Sequence, residues 1–209
     1  YRLIYFILTI ASILIVTVIF FFQIQNTTSL ILAALLLFCI LFYTIKPFRL
    51  IYSGYGEILQ ATFIAMLIPA FGYSLQVRGD LHTNLAYLCL PFFMLVLALQ
   101  YIIENRSLTH DVERYHTTAV MRFGSVITLR IAIYLIAFSY IFMLLLGVIA
   151  LPWRFILRWF LSVPVAIYLI WNINKILSGE KPAWPVITFL AYALVLLNLA
   201  LVALSFLFI

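Results

Sequence analysis

Leu3-Ile-Tyr-Phe-Ile-Leu-Thr-Ile-Ala-Ser-Ile-Leu-Ile-Val-Thr-Val-Ile-Phe-Phe-Phe22 runs for twenty residues without a charge. At about 1.5 Å per residue, a helix of that length covers about 30 Å, the hydrocarbon thickness of a bilayer. A β-barrel strand is about half as long and alternates apolar with polar residues, which this stretch does not do. It therefore reads as a membrane-spanning helix, and the pattern recurs. Apolar spans are expected at about 3–22, 30–45, 58–75, 85–103, 123–150, 153–173 and 184–209. The expected fold is an all-α, polytopic membrane bundle of seven transmembrane helices, with 1–209 forming a single transmembrane domain.

The bulk composition agrees. The 209 residues are 67% hydrophobic and 9% charged, whereas a soluble domain is about a quarter charged. An aromatic content of 17% excludes disorder. Seven spans use roughly 140 residues, which leaves no room for a separate soluble domain. The chain enters a span just after Tyr1 and ends at Ile209 inside another, as expected of a portion of a longer chain or of a trimmed one. Nothing at its start resembles a signal peptide.

Pro69, Pro91 and Pro164 fall inside spans, where each is expected to mark a kink. Trp153, Trp159, Trp171 and Trp184 lie near expected span ends, as an aromatic belt requires. Cys39 and Cys89 sit far apart in apolar runs and read as lipid-facing or core thiols, with no metal or redox spacing. No internal repeat is present, which weakens a transporter built on paired halves.

Basic residues set the expected orientation. The N-terminus and the loops after spans two, four and six carry Arg2, Lys46, Arg49, Arg106, Arg114, Arg122, Lys175 and Lys181. The opposite face carries Arg78, Arg154 and Arg158, and Arg130 lies inside span five. Eight against three puts the first face in the cytoplasm, the N-terminus with it and the C-terminus outside. The protein is thus expected in the cytoplasmic (inner) membrane. Glu57, Glu104, Asp111, Glu113 and Glu180 share the cytoplasmic face; of the acidic residues only Asp80 does not. Any chemistry is expected there. The net charge of +6 is spread over short loops, so no nucleic-acid partner is expected.

Two loops carry the candidate residues. In Lys46-Pro-Phe-Arg-Leu-Ile-Tyr-Ser-Gly-Tyr-Gly-Glu57, two basic residues precede a Gly-x-Gly turn and a carboxylate at the mouth of span three. Lys46 and Arg49 suit a phosphate, and Glu57 suits the positive end of a helix dipole. The longest polar stretch, 104–122, holds Glu104, Arg106, His110, Asp111, Glu113, His116 and Arg122. Carboxylates around Mg²⁺ bridge a diphosphate, and arginines neutralise it. Glu104 and Asp111 lie about two helical turns apart, on one face if the segment is helical. Zinc through His110 and His116 is not expected, because that separation is not a ligand spacing. Arg130, about 10 Å below Phe123, either faces a polar cavity or snorkels to the interface.

These loops are similar to those of a known family. Gly54-Tyr-Gly-Glu57 resembles the Gly-Leu-Gly-Glu segment of menaquinone-type members of the UbiA prenyltransferase superfamily, which prenylate 1,4-dihydroxy-2-naphthoate. His116-Thr-Thr-Ala-Val-Met-Arg-Phe-Gly124 resembles the Lys-x-Thr-x-Ala-Val-x-x-Gly-like segment after that family's second aspartate-rich motif. The resemblance implies a nine-helix fold of which this chain covers helices three to nine. It also implies an isoprenyl diphosphate held by Mg²⁺ on two aspartate-rich motifs, ionising to a cation that an aromatic acceptor attacks.

This sequence departs from that pattern. The first motif and its helices are absent, and the second is eroded. Asp111 matches its later aspartate, but Ser107 stands at the earlier one. Arg106 matches a basic residue commonly found before it, and Glu104 falls near the asparagine position. One aspartate is too little for a metal–diphosphate cage. The favoured expectation is a catalytically degenerate member, an accessory or structural subunit of a respiratory or photosynthetic membrane complex. It would bind quinone, carotenoid, (bacterio)chlorophyll or lipid tails, with other membrane-protein subunits as partners. The alternative is an active Mg²⁺-dependent aromatic prenyltransferase of quinone biosynthesis whose first two helices lie upstream. The residual catalytic candidates are Asp111, Glu104 and Lys46, and the metal candidates are Asp111 and Glu104. Lys46, Arg49, Arg106, Arg122 and Arg130 are the candidates for diphosphate or lipid headgroups.

Overall fold

The computed structural model describes residues 27–44, 50, 54–76, 83–113 and 118–207. Its elements are all helical: α1 Thr27–Thr44, α2 Gly56–Gln76, α3 Thr83–Glu113, α4 Ala119–Phe123, α5 Ser125–Ile149, α6 Trp153–Phe160, α7 Val163–Leu177 and α8 Trp184–Leu207. Among the described residues, four helices are long and apolar enough to cross a membrane, and the α6–α7 pair, bent by 43°, makes a fifth. These five match the expected spans three to seven. The second expected span is α1, whose apolar part, Thr27–Ile40, is shorter than a full span. The first expected span, at 3–22, lies outside the described residues.

Helix α3 is the central strut. Half of its apolar window is buried, against a third or less in the other spans. It packs along α5 and also against α2 and α8. Leu95, Ile102, Leu129, Ile136, Leu169 and Leu194 fill the seams between these helices. The opposite faces stay apolar and exposed, as Tyr134, Phe138, Ile141 and Val148 show along α5. In water such a surface would drive association; around a bundle of long apolar helices it is the lipid-facing side, and the protein is read as a membrane protein.

The three prolines act differently. Pro69 follows a π-helical turn, Phe63–Leu67, in which the Ile68 N–H bonds the Phe63 carbonyl five residues back. A proline lacks the N–H for the ordinary ladder and its ring crowds the carbonyl four residues before it. The wider turn relieves that conflict. Pro91 is carried inside α3. Pro164 opens α7 at the bend of the broken span, a position that needs no N–H. That bend is pinned by Ser162. Its Oγ lies 2.6 Å from the Tyr140 hydroxyl, 2.7 Å from the Trp159 carbonyl and 2.9 Å from Asn198 Oδ1.

Two expectations are corrected. Trp159 is not part of an interfacial belt: it is 0% exposed, whereas Trp153 is 61% exposed. Helix α6 turns its Trp159 face inward, where the side chain lines a small cavity together with Pro69, Phe92 and Leu199 from three other helices. The polar stretch 104–122 is also not one loop. Helix α3 continues to Glu113, because nothing in 104–113 is glycine or proline. At 31 residues it is about 46 Å long, so its last turns project beyond the hydrocarbon core.

Candidate functional site

The two segments that carry the family resemblance are docked on each other. Glu57, in the first turn of α2, accepts a hydrogen bond at Oε1 from the Ala119 backbone N–H at 2.8 Å. Ala119 opens α4, where the first N–H groups have no partner within their own helix. Glu57 is 4% exposed, so this is a buried, charge-assisted bond, of a kind worth about 1.5–3 kcal/mol.

Gly54 sits at this junction in a backbone conformation that favours glycine. Its φ is +75°, and a Cβ there would lie 3.4 Å from Arg122 Cδ and 3.5 Å from the Thr118 carbonyl oxygen. Arg122 lies across the junction. Its guanidinium sits 4.5 Å from the Tyr55 ring centroid and 5.8 Å from that of Phe123. Gly124, at φ +88°, separates α4 from α5.

Around this junction lies a partly buried polar layer. Glu57 Oε2 and Thr118 Oγ1 are buried, with no hydrogen-bond partner among the described residues. Tyr101, from α3, offers its backbone carbonyl to this layer, and Tyr43, from α1, lines a cleft beneath it. Asn105 Nδ2 donates to the Tyr101 carbonyl at 2.7 Å and lies 3.0 Å from Thr128 Oγ1. Asn105 Oδ1 accepts from Ser125 at 2.6 Å. Arg106 Nη1 donates to Thr188 Oγ1, on α8, at 3.2 Å. The 54–57 turn and the ends of α3, α4, α5 and α8 thus share one end of the bundle, the end that carries the candidate residues.

The expected site residues are only partly brought together. Glu104, half-buried, belongs to the polar layer with Glu57. Arg106 and Arg122 lie at the same end, held as above. Arg130 does not join them: it is exposed on the outward stripe of α5 with Tyr134 and Phe138. Helix α5 turns Thr128 and Leu129 inward and Arg130 out, an exposure that matches the expected alternative of snorkelling to the interface more closely than a polar cavity. Asp111 lies on the α3 backbone, two turns beyond Glu104. Lys46 and Arg49 lie outside the described residues. Ser107 directs its hydroxyl to the Glu104 carbonyl of its own helix, 3.3 Å away. Among the described residues no three His, Cys, Asp or Glu side chains gather as a metal site.

Sequence reasoning named Asn105 within the polar stretch but missed its partners Ser125 and Thr128, and the two tyrosines. Asn105 stood in the polar stretch, but its bonds to Ser125 and Thr128 cross 20 and 23 residues, and no local signal carries them. Below the polar layer, a cleft of about 250 Å³ opens between α1 and α2, lined by Cys39, Ile40, Tyr43, Leu59, Gln60, Phe63 and Ile64. A smaller apolar cavity of about 70 Å³ lies among α2, α3, α6 and α8.

No family model, curated protein or solved structure matches this chain.

Proposed function

We propose that this chain is a UbiA-like integral membrane protein that has lost prenyl transfer and serves as an accessory subunit of a respiratory or photosynthetic membrane complex, binding isoprenoid quinone, pigment or lipid tails. In this reading it spans the cytoplasmic membrane seven times, corresponding to helices three to nine of that fold, with its N-terminus in the cytoplasm.

One observation carries the reading. Gly54–Glu57 and His116–Gly124, two segments far apart in sequence that each resemble the family, are joined by the Glu57–Ala119 hydrogen bond. Two chance likenesses have no reason to be neighbours in space. The degenerate form of the reading rests on Ser107, a hydroxyl where the metal cage needs a carboxylate, turned back to its own helix. An apolar cleft beside a polar end supports an amphipathic ligand.

The alternative, an active enzyme, is favoured by one feature. The continuation of α3 to Glu113 carries Glu104 and Asp111 on one helix, about two turns apart along its backbone. In that case Mg²⁺ held by these carboxylates would offset the charge of a leaving diphosphate, and Arg106 would add a positive charge. The test is transfer from a radiolabelled polyprenyl diphosphate to 1,4-dihydroxy-2-naphthoate by the purified protein with Mg²⁺. Absence of product fits the degenerate subunit; Mg²⁺-dependent turnover establishes the enzyme.

A further inference from the structure

Helix α6 belongs to the end of the bundle opposite the Glu57–Ala119 junction. It follows the close of α5. The cavity lined by its Trp159 is shared with Pro69 in the second half of α2, Leu85 in the first turn of α3 and Leu199 in the second half of α8. The α6–α7 span is broken here, and Ser162 holds the bend from inside through Tyr140, the Trp159 carbonyl and Asn198.

Three faces run along α6. Phe155, Ile156 and Trp159 are buried against the other helices. Trp153, Leu157 and Leu161 are exposed and follow at spacings of four, so they stack into one apolar strip. Arg154 and Arg158, also four apart, make a basic edge beside that strip, Arg154 exposed and Arg158 half-buried. Side chains on a helix lean toward its N-terminus. The N-terminus of α6 is the bundle end, so the two arginines lean toward the boundary between lipid and water. The Arg154 guanidinium already rests 5.7 Å from the Phe155 ring centroid, which restricts its freedom.

Charge then selects the occupant. Among the described residues, the acidic positions Glu57, Glu104, Asp111, Glu113 and Glu180 all lie toward the other end of the bundle. Arg78 and Asp80, one charge of each sign, fall outside the described residues. A basic edge at the boundary suits a phosphate, which arginine meets with paired hydrogen bonds. The apolar strip next to it suits an acyl chain. One ligand carries both groups on a single molecule.

We propose that α6 is a binding site for an anionic phospholipid, with Arg154 and Arg158 on the headgroup phosphate, Trp153 at the level of the glycerol, and an acyl chain along Leu157 and Leu161. The bound lipid braces from outside the half-helix that Ser162 braces from inside. Binding at α6 is independent of the isoprenoid reading, because α6 lies far from the polar layer and from the α1–α2 cleft.

The experiment titrates the full chain in detergent with palmitoyl-oleoyl phosphatidylglycerol and with phosphatidylcholine of the same acyl chains, and reads bound lipid by native mass spectrometry. Phosphatidylglycerol is expected to bind about tenfold more tightly. Arg154→Gln/Arg158→Gln is expected to remove that preference. Arg154→Gln alone, at an exposed position, is expected to weaken phosphatidylglycerol about threefold and carries the test if the double variant does not fold. Lys181→Gln removes a positive charge at the opposite end and is expected to leave the preference in place. Equal affinity for the two lipids in the unsubstituted chain overturns the proposal. Equal loss in Lys181→Gln and Arg154→Gln assigns the preference to the net charge of the chain and also overturns it. A rise in melting temperature with inorganic phosphate alone that matches the rise with phosphatidylglycerol, and that Arg154→Gln removes, assigns the arginines to a free anion and overturns it as well.

Discussion

Glu57 and Ala119 are joined by a 2.8 Å hydrogen bond across 62 residues of sequence, from the carboxylate of one short motif to the backbone of another. The bond closes the polar end of the bundle. It ties the start of α2 to the start of α4, and so sets how the end of α3 is returned into α5. Its removal tests whether the junction is a structural element of this fold. Glu57→Ala leaves the Ala119 N–H buried and unpaired, at about 1–3 kcal/mol. Glu57→Gln retains the acceptor and is expected to lose less than half of that. Thermal unfolding in detergent, followed by circular dichroism, reads the difference. Equal loss in the two variants contradicts the assigned bond.

Gly54 and Gly72 make a matched pair. At Gly54, φ is +75°, a conformation that strains any other residue, although a Cβ there would make only ordinary contacts with Arg122 and Thr118; at Gly72, inside α2, nothing lies within 4 Å of the added carbon. Gly54→Ala is expected to destabilise by about 1 kcal/mol or more. Gly72→Ala is expected to be neutral or stabilising by up to about 1 kcal/mol, as in any open helical position. The same melting assay separates them.

Gly147 and Ile156 interlock α5 with α6. A Cβ on Gly147 would fall 1.7 Å from Ile156 Cδ1, and Ile156 is buried. Gly147→Ala is therefore expected to lower stability, and Ile156→Val, which removes that terminal methyl, is expected to recover part of the loss. A double-mutant cycle should give a coupling of about 0.5–3 kcal/mol. Strict additivity contradicts the packing described.

Trp159 and Trp153 are separable by spectroscopy. Trp153 is exposed on the apolar surface and Trp159 is enclosed. In nanodiscs containing brominated lipid, a variant retaining Trp153 alone is expected to be quenched. One retaining Trp159 alone is expected to stay bright. Quenching of both to the same degree contradicts the inward placement of α6.

The apolar spans were legible because a run of about twenty uncharged residues has few other uses. The starts of spans three to seven fall within a few residues of the starts of α2, α3, α5, α6 and α8 for that reason. Helix ends were less legible. The sequence loses its apolar character at Glu104, but α3 persists to Glu113, since polarity reports the edge of the membrane and not the end of a helix. Trp159 was misplaced for a related reason: a tryptophan near a span end suits both an interface and a seam between helices, and only packing decides. At the polar end, the Gly-x-Gly-Glu turn announced itself through its glycines, and Glu57 was read as a dipole partner. Its actual acceptor role, and the Asn105–Ser125–Thr128 network, depend on which helix ends meet. That is set by the tertiary arrangement and leaves no periodic trace.

The most direct measurement is mass spectrometry of lipids extracted from the full chain purified from its native membrane. One isoprenoid quinone or pigment per chain, in excess of its share of bulk membrane lipid, is the expected result. Bulk phospholipid alone, with no isoprenoid enriched above the surrounding membrane, contradicts the account.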